Sequence, residues 1–269
     1  TDYLPSGIDL VYFWRLSSGT QVIGESEPDL VSWHDSRFEW STYATAQIQL
    51  HTYHLSEAFA ASVASTAQQT VTLLEARFAM QPGLPISIWI YQNATDFAAA
   101  KQLNSREAVA GASYPGYYVI HLVLREGDDR EVGRTVTHEV SHQCLFQAIE
   151  NPYSLAPLWF DEGMATHSQT AGMDSYLPLA ITSANAGSLY KLDSLSAGFP
   201  FLPSEAAIAY ATSWSAIAFI IDRWGDDGIS RLIAEFARGM PPKEAIQTAL
   251  GISAEDLDLA LGTWLRDRA

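Results

Sequence analysis

The sequence predicts an α+β fold: a small mixed sheet with a covering helix, then an all-helical C-terminal lobe, with a short β-rich segment ahead of both. Three observations carry this prediction. Runs rich in β-branched and aromatic residues lie ahead of residue 125, whereas beyond Glu162 every apolar run repeats at helical spacing. Glycines close several of those later runs, as at Gly225 and Gly239. The 269 residues, 48% hydrophobic and 12% aromatic, are enough to bury one sizeable core, or a core plus a small appendage.

The first forty residues differ in character from the rest. Asp9 to Leu16 is aromatic and β-branched, Ser17-Ser18-Gly19 is a turn signal, and Thr20 to Gly24 returns as a second strand, so a hairpin is expected. Leu30 to His34 is a third extended piece. Two readings stay open for residues 1–40: the last strands of an upstream β-domain, or an extension of the following domain's own sheet. The remaining residues, 41–269, form one domain with a sheet-containing part (41–150) and a helical part (151–269).

Within that domain Ala46 to Tyr53 alternates as a strand, and Ser56 to Met80 has the cap and alanine-rich composition of a long helix. Pro85 to Tyr91 and Tyr117 to Leu124 are further strands, giving three or four in all. Ala110 to Gly116, with small residues and a proline, suits a sheet edge better than a centre. Thr135 to Ile149 reads as a helix with Val136, Val140, Cys144 and Ala148 along one side, and Asn151-Pro152 stops it. Later helices are expected over 174–184, 204–224, 228–238, 241–250 and 254–268. No internal repeat or low-complexity tract is visible.

The chemistry lies in His138-Glu139-Val140-Ser141-His142. On a helix, two histidines four apart project from one face about a turn from each other, the spacing two imidazoles need to share a tetrahedral zinc ion. Glu139 can polarise a water on that ion without being a ligand. A third ligand must come from elsewhere, and Glu162, at the start of the next apolar helical stretch, is the natural supplier. Two histidines, one carboxylate and a water make a catalytic rather than a structural site. Cys144, the sole cysteine, falls near the opposite side of the helix, where a small buried hydrophobe is expected.

The string HEVSH, nineteen residues (143 to 161), then Glu162 within LWFDEGMA, resembles the gluzincin metallopeptidases, specifically the peptidase MA-like group with its W-x-x-E-G-x-A second motif. The resemblance runs from about Phe38 to the C-terminus. It implies a zincin-like fold, one zinc ion on His138, His142 and Glu162, and Glu139 as general base in peptide hydrolysis. It also implies an extracytoplasmic home, secreted or cell-surface, as in exported bacterial relatives. The chain opens without methionine and in strand-like sequence, from which a fragment or processed product of a longer protein is expected.

A peptidase of this kind binds its substrate as an extra strand on a sheet edge, and the segment before the zinc helix is the candidate. The aminopeptidase branch carries a glutamate there, but no acidic residue occurs between Gly111 and Leu124, so an endopeptidase fits better. Tyr210, placed like the family's downstream tyrosine, is expected to donate to the oxyanion. Tyr190 and His167 are weaker candidates, and a helix-surface position is the plainer description of His167. His51 and His54 do not make a second metal site. A net charge of −16, with only fifteen Lys and Arg, argues against a nucleic-acid partner and leaves peptide or protein as the substrate. The alternative function is a non-catalytic binding module or a latent peptidase whose first forty residues cover the cleft.

Overall fold

A computed structural model describes residues 4–100, 111–151 and 155–269. Pro152, the expected helix stop, and Ala110, the start of the expected edge segment, lie outside those residues. The first elements are four short strands, β1 (Ile8–Tyr12), β2 (Arg15–Ser18), β3 (Gln21–Glu25) and β4 (Asp29–Trp33). β1 pairs antiparallel with β4 and β2 with β3, with the tip turn at Gly19, whose φ of 61° suits glycine. The predicted single strand over 9–16 is therefore divided. Trp14 N donates to Ser26 Oγ and Ser26 N to Trp14 O, both at 2.9 Å, so backbone pairing continues across the break.

These two ladders are separate from the main sheet. That sheet contains β5 (Ser41–Ala44), β6 (Ile48–Thr52), β7 (Ile86–Tyr91), β8 (Gly111–Tyr114) and β9 (Val119–Val123), in the order β5-β6-β7-β9-β8. The two inner pairings are parallel and the two outer ones antiparallel. β5 is the strand that the alternation pattern misses. It is four residues long and mostly exposed, so it has no buried face to write into the sequence.

Alternation sets the two faces. Ile86, Ile88 and Ile90 of β7 join Ile48, Leu50, Ile120 and Leu122 in the main core, while Trp89 and Tyr91 face the other way. Over the first face lies α1 (Glu57–Phe78), capped by Ser56, whose Oγ accepts from Phe59 N at 3.2 Å. Its buried stripe of Ala60, Val63, Ala67, Val71, Leu74 and Phe78 follows helical spacing. The second face is covered by Ile8, Phe38 and Trp40, with Phe38 stacked on Tyr53 at 4.0 Å. Gly7, at φ 103°, passes so close to Trp89 that a Cβ would sit 2.0 Å from its Nε1. Residues from 1–40 thus pack on the sheet without joining it.

After the short α2 (Ala94–Ala100) the chain builds β8 and β9 and then turns helical. α3 (Asp129–Glu131), a π-helical turn (Val132–Val136) and α4 (Thr137–Ile149) follow without interruption, so the helix expected from Thr135 begins earlier and passes through a widened turn. The Gly133 carbonyl explains the widening. It accepts from Thr137 Oγ1 at 2.8 Å and from Thr170 N at 2.9 Å, and so is drawn out of the regular helical ladder.

The remaining helices are α5 (Leu158–His167), α6 (Tyr176–Asn185), α7 (Pro203–Ala237), α8 (Pro242–Leu250) and α9 (Ala254–Arg266). The two helices predicted at 204–224 and 228–238 are the two segments of α7, which meet at Gly225, whose φ of 70° and ψ of −177° are not helical. α7 is long and apolar enough, by length and composition, to cross a membrane. Half of that apolar window is buried inside the protein, where Ala209, Ala216, Ile217 and Ile220 belong to the core. The described chain is thus a small mixed sheet followed by a helical part.

Candidate metal centre

α4 presents its two histidines on the side away from Val136, Val140 and Cys144, which are fully buried. Burial pushes the Cys144 thiol far above its ordinary range, leaving a small inert hydrophobe. His138 Nε2 and His142 Nε2 point at each other across 3.2 Å. From α5, Glu162 brings Oε2 to 3.5 Å from the first nitrogen and 3.8 Å from the second. The three ligand atoms lie within 4.8 Å of one another. Ligands at about 2.0–2.1 Å from a tetrahedral zinc are themselves about 3.3 Å apart, so this triangle is close to the size that one ion requires.

The chemistry of the donor set also fits a cation. Glu162 Oε2 is buried and has no hydrogen-bond partner among the described residues, a costly arrangement for a carboxylate unless a cation takes its lone pair. Burial raises the pKa of Glu162, but the nearby His138 and His142 outweigh that effect and hold it below the ordinary carboxylate range. Burial disfavours the charged form of His142, yet Asp161, Glu162 and Glu139 around it push its pKa up to about 10. Three carboxylates and two imidazoles are thus packed where positive charge, on an imidazolium or on a shared cation, is favoured.

Each imidazole is oriented from behind. His142 Nδ1–H donates to Asp161 Oδ1 at 2.7 Å, which fixes the tautomer with Nε2 free to ligate. His138 Nδ1 lies 3.0 Å from the Gln169 amide, whose oxygen and nitrogen exchange places by a half turn. With Oε1 toward the ring, His138 Nδ1–H donates to it and its Nε2 is likewise free. That orientation also gives a partner to an Oε1 otherwise buried without one. The ring-orienting roles of Asp161 and Gln169 were not legible in sequence. Asp161 directly precedes the ligand and could have been suspected, but Gln169 lies beyond the end of α5, where only the chain's return places it.

Glu139 lies on the same helix beside the first histidine, and burial raises its pKa above the ordinary carboxylate range despite His138 and His142 nearby. Its carboxylate faces the edge strand. A Cβ added to Gly111 of β8 would stand 2.8 Å from Glu139 Oε1, so glycine at that position leaves room for the acid. β8 is the outer strand on this side of the sheet, as its small residues predict, and Gln143 fastens it to α4 by donating to Ser113 Oγ at 2.7 Å and Val119 O at 3.1 Å.

Tyr210, in the second turn of α7, is half-buried with its ring 5.0 Å from Phe199. Burial, then the charges of Glu162 and Glu139, push its phenol well above the ordinary range, which places it in the field of the site. Tyr176, at the start of α6, is a second phenol whose pKa is raised by burial and by Glu162, with the Gln169 side chain beside it. Sequence reasoning did not single it out. His167 is half-buried rather than a plain surface residue: it faces Trp214 at 6.3 Å, and burial lowers its pKa to about 4. The hydrogen-bond partners of the histidine pair are Asp161 and Gln169 instead. Tyr190 packs against the main core, and His51 stacks on Trp89 at 4.1 Å.

The chain matches the Peptidase MA superfamily over residues 66–267. No curated protein matches it. Among solved structures it is similar to an M1 zinc metallopeptidase from Deinococcus radiodurans, at 14% identity and a TM-score of 0.42, over 98% of this chain and 62% of that one. The chain therefore spans about 62% of that protein's length. With the matched span covering most of the chain, including α4, α5 and strands β7 to β9, the chain belongs to the Peptidase MA superfamily.

Proposed function

We propose that this chain is a zincin-like, zinc-dependent endopeptidase in which His138, His142 and Glu162 hold one zinc ion and Glu139 is the general base. The observation that carries this reading is the triangle of two imidazole nitrogens and one buried, unsatisfied carboxylate oxygen with a second buried acid beside it. When bound, zinc supplies Lewis-acid chemistry, an activated water and a polarised scissile carbonyl. Glu139, whose proton affinity is raised by burial, takes the proton of the attacking water and later delivers it to the leaving amine. The Tyr210 phenol, kept protonated by its surroundings, donates to the oxyanion.

A peptide laid along the outer side of β8, the last strand in the sheet order among the described residues, brings its backbone past Gly111, and hence past Glu139. No carboxylate between Gly111 and Leu124 is available to hold a free amino terminus, which favours internal cleavage. Intact Glu139 weighs against a purely structural metal site, which has no use for a general base. The placement of Ile8, Phe38 and Trp40 on the sheet face opposite α1 gives no support to a latent form in which residues 1–40 cover the cleft. An extracytoplasmic location is proposed on family resemblance alone.

The test is Glu139→Gln. This variant is expected to bind zinc like the native protein while peptide hydrolysis falls by about 10²- to 10⁴-fold, the range that general acid–base catalysis contributes. Equal hydrolysis of an end-blocked peptide pool by both proteins would refute the assignment.

A further inference from the structure

Beside the metal-centre residues a cavity of about 530 Å³ opens, with His142 and Asp161 in its wall. Leu145, Phe146 and Ile149 continue that wall along α4, one or two turns beyond His142. Its size falls within the range of about 300–1,000 Å³ usual for ligand pockets. Among the described lining residues His142 and Asp161 are the only titratable groups, and they are paired with each other at 2.7 Å. Among the described lining residues no unpaired carboxylate awaits a cationic side chain, although the chain as a whole carries a net charge of −16.

The cavity also borders the path of a bound peptide. β8 runs from Gly111, beside Glu139, to Tyr114, and the Pro115–Gly116 turn that follows lines the cavity. A substrate strand added antiparallel to β8, the more stable pairing per residue, has its N-terminal residues at the Tyr114 end and its C-terminal residues at the Gly111 end. The bond to be cut must lie near Glu139. Side chains over the Pro115 end therefore precede that bond, and at about 3.4 Å per residue the cavity is reached within about four residues of it.

We propose that this cavity receives a large apolar side chain, such as leucine or phenylalanine, located within four residues on the N-terminal side of the bond that is cut. The inference rests on the peptidase reading above and adds a substrate class to it. Burying such a side chain in place of serine is worth about tenfold or more in selectivity.

The experiment has two arms on one pool of end-blocked random peptides. In the first, cleavage sites left by the zinc-loaded protein are read by mass spectrometry. Leucine, phenylalanine, isoleucine or methionine is expected at one of the four preceding positions, about tenfold or more over serine or lysine. Ala197→Trp, at an exposed lining position, is expected to bring that preference below about threefold with zinc content unchanged. Cleavage without an apolar preference, with a basic one, or with selection only after the bond overturns the pocket and leaves the peptidase reading standing.

In the second arm, immobilised zinc-loaded Glu139→Gln is expected to retain peptides bearing these apolar residues about tenfold over their serine counterparts, and Ala197→Trp in the same background to abolish the difference. If nothing is cut in the first arm, the peptidase reading fails, and the second arm alone decides the pocket. Selective retention sustains it, and equal retention overturns it.

Discussion

At the scale of single residues, the site depends on small clearances as much as on ligands. Gly111 lies opposite the Glu139 carboxylate with no room for a methyl group, since a Cβ would fall 2.8 Å from Oε1 and 3.0 Å from Leu122 Cδ2. The nearest obstacle is the free end of a flexible side chain, so Gly111→Ala is expected to fold and to bind zinc. Glu139 would be displaced, and a misplacement of about 1 Å at a reacting group costs about 10²-fold. Measured kcat/KM on a cleaved peptide should fall by about that factor, and an unchanged value would show that Glu139 does not act from this position. The convergence of His138, His142 and Glu162, with Glu139 beside them, was legible in sequence because their spacing is a property of one helix and one adjacent motif. Gln169 and Tyr176 were not, because each reaches the site through the turn after α5 rather than through any period along the chain.

At the scale of elements, the second motif glycine explains how α5 delivers its carboxylate. Gly163 follows Glu162 directly and packs against α7, where an added Cβ would stand 2.7 Å from the Ser213 carbonyl oxygen and 2.8 Å from Ile217 Cγ1. The first of these is backbone and cannot swing aside. Gly163→Ala should therefore force α5 and α7 apart and cost about 1–3 kcal/mol in a urea unfolding experiment, and an equally stable variant would contradict this close approach. A second joint ties α1 to the kinked α7: Arg77 Nε and Nη2 each donate at 2.8 Å to Asp226, one residue past Gly225. The hydrogen bond from Arg77 holds the Asp226 carboxyl below the usual range. Because the folded pKa is depressed, this contribution is fully present above the ordinary carboxylate pKa and is lost as pH falls through the lower folded value. With Arg77 and Asp226 about a third exposed, at 32% and 35%, solvent screening limits the pair to about 1 kcal/mol or less. Asp226→Asn should be less stable than the native protein at pH 7, and the gap should close below about pH 4. A gap independent of pH would mean that packing, not charge, is what Asp226 supplies. The two helices that meet here were legible as helices, and Gly225, with non-helical φ and ψ, ends the first of them as a glycine at a helix stop does.

At the scale of the whole molecule, the sheet, α4, α5 and α7 form one support that brings residues 138, 142 and 162 together. The α+β plan and the helical C-terminal part were legible because burial writes a period of two into the inner strands and of 3.6 into the helices. β5 and the divided N-terminal hairpin were not, because their exposed faces impose no such pattern. The packing of Phe38 and Trp40 on the second sheet face is a tertiary choice among aromatics that reads locally as an extended linker. The central claim is that two helices of this support grip one cation at three points. The most direct measurement is the zinc content of the purified protein and of His138→Ala, His142→Ala and Glu162→Ala after equal loading and dialysis. Close to one zinc per native chain and almost none in any of the three variants is the expected result, since two remaining ligands rarely hold zinc tightly. Native protein that takes up no zinc, or variants that keep it in full, would contradict the claim.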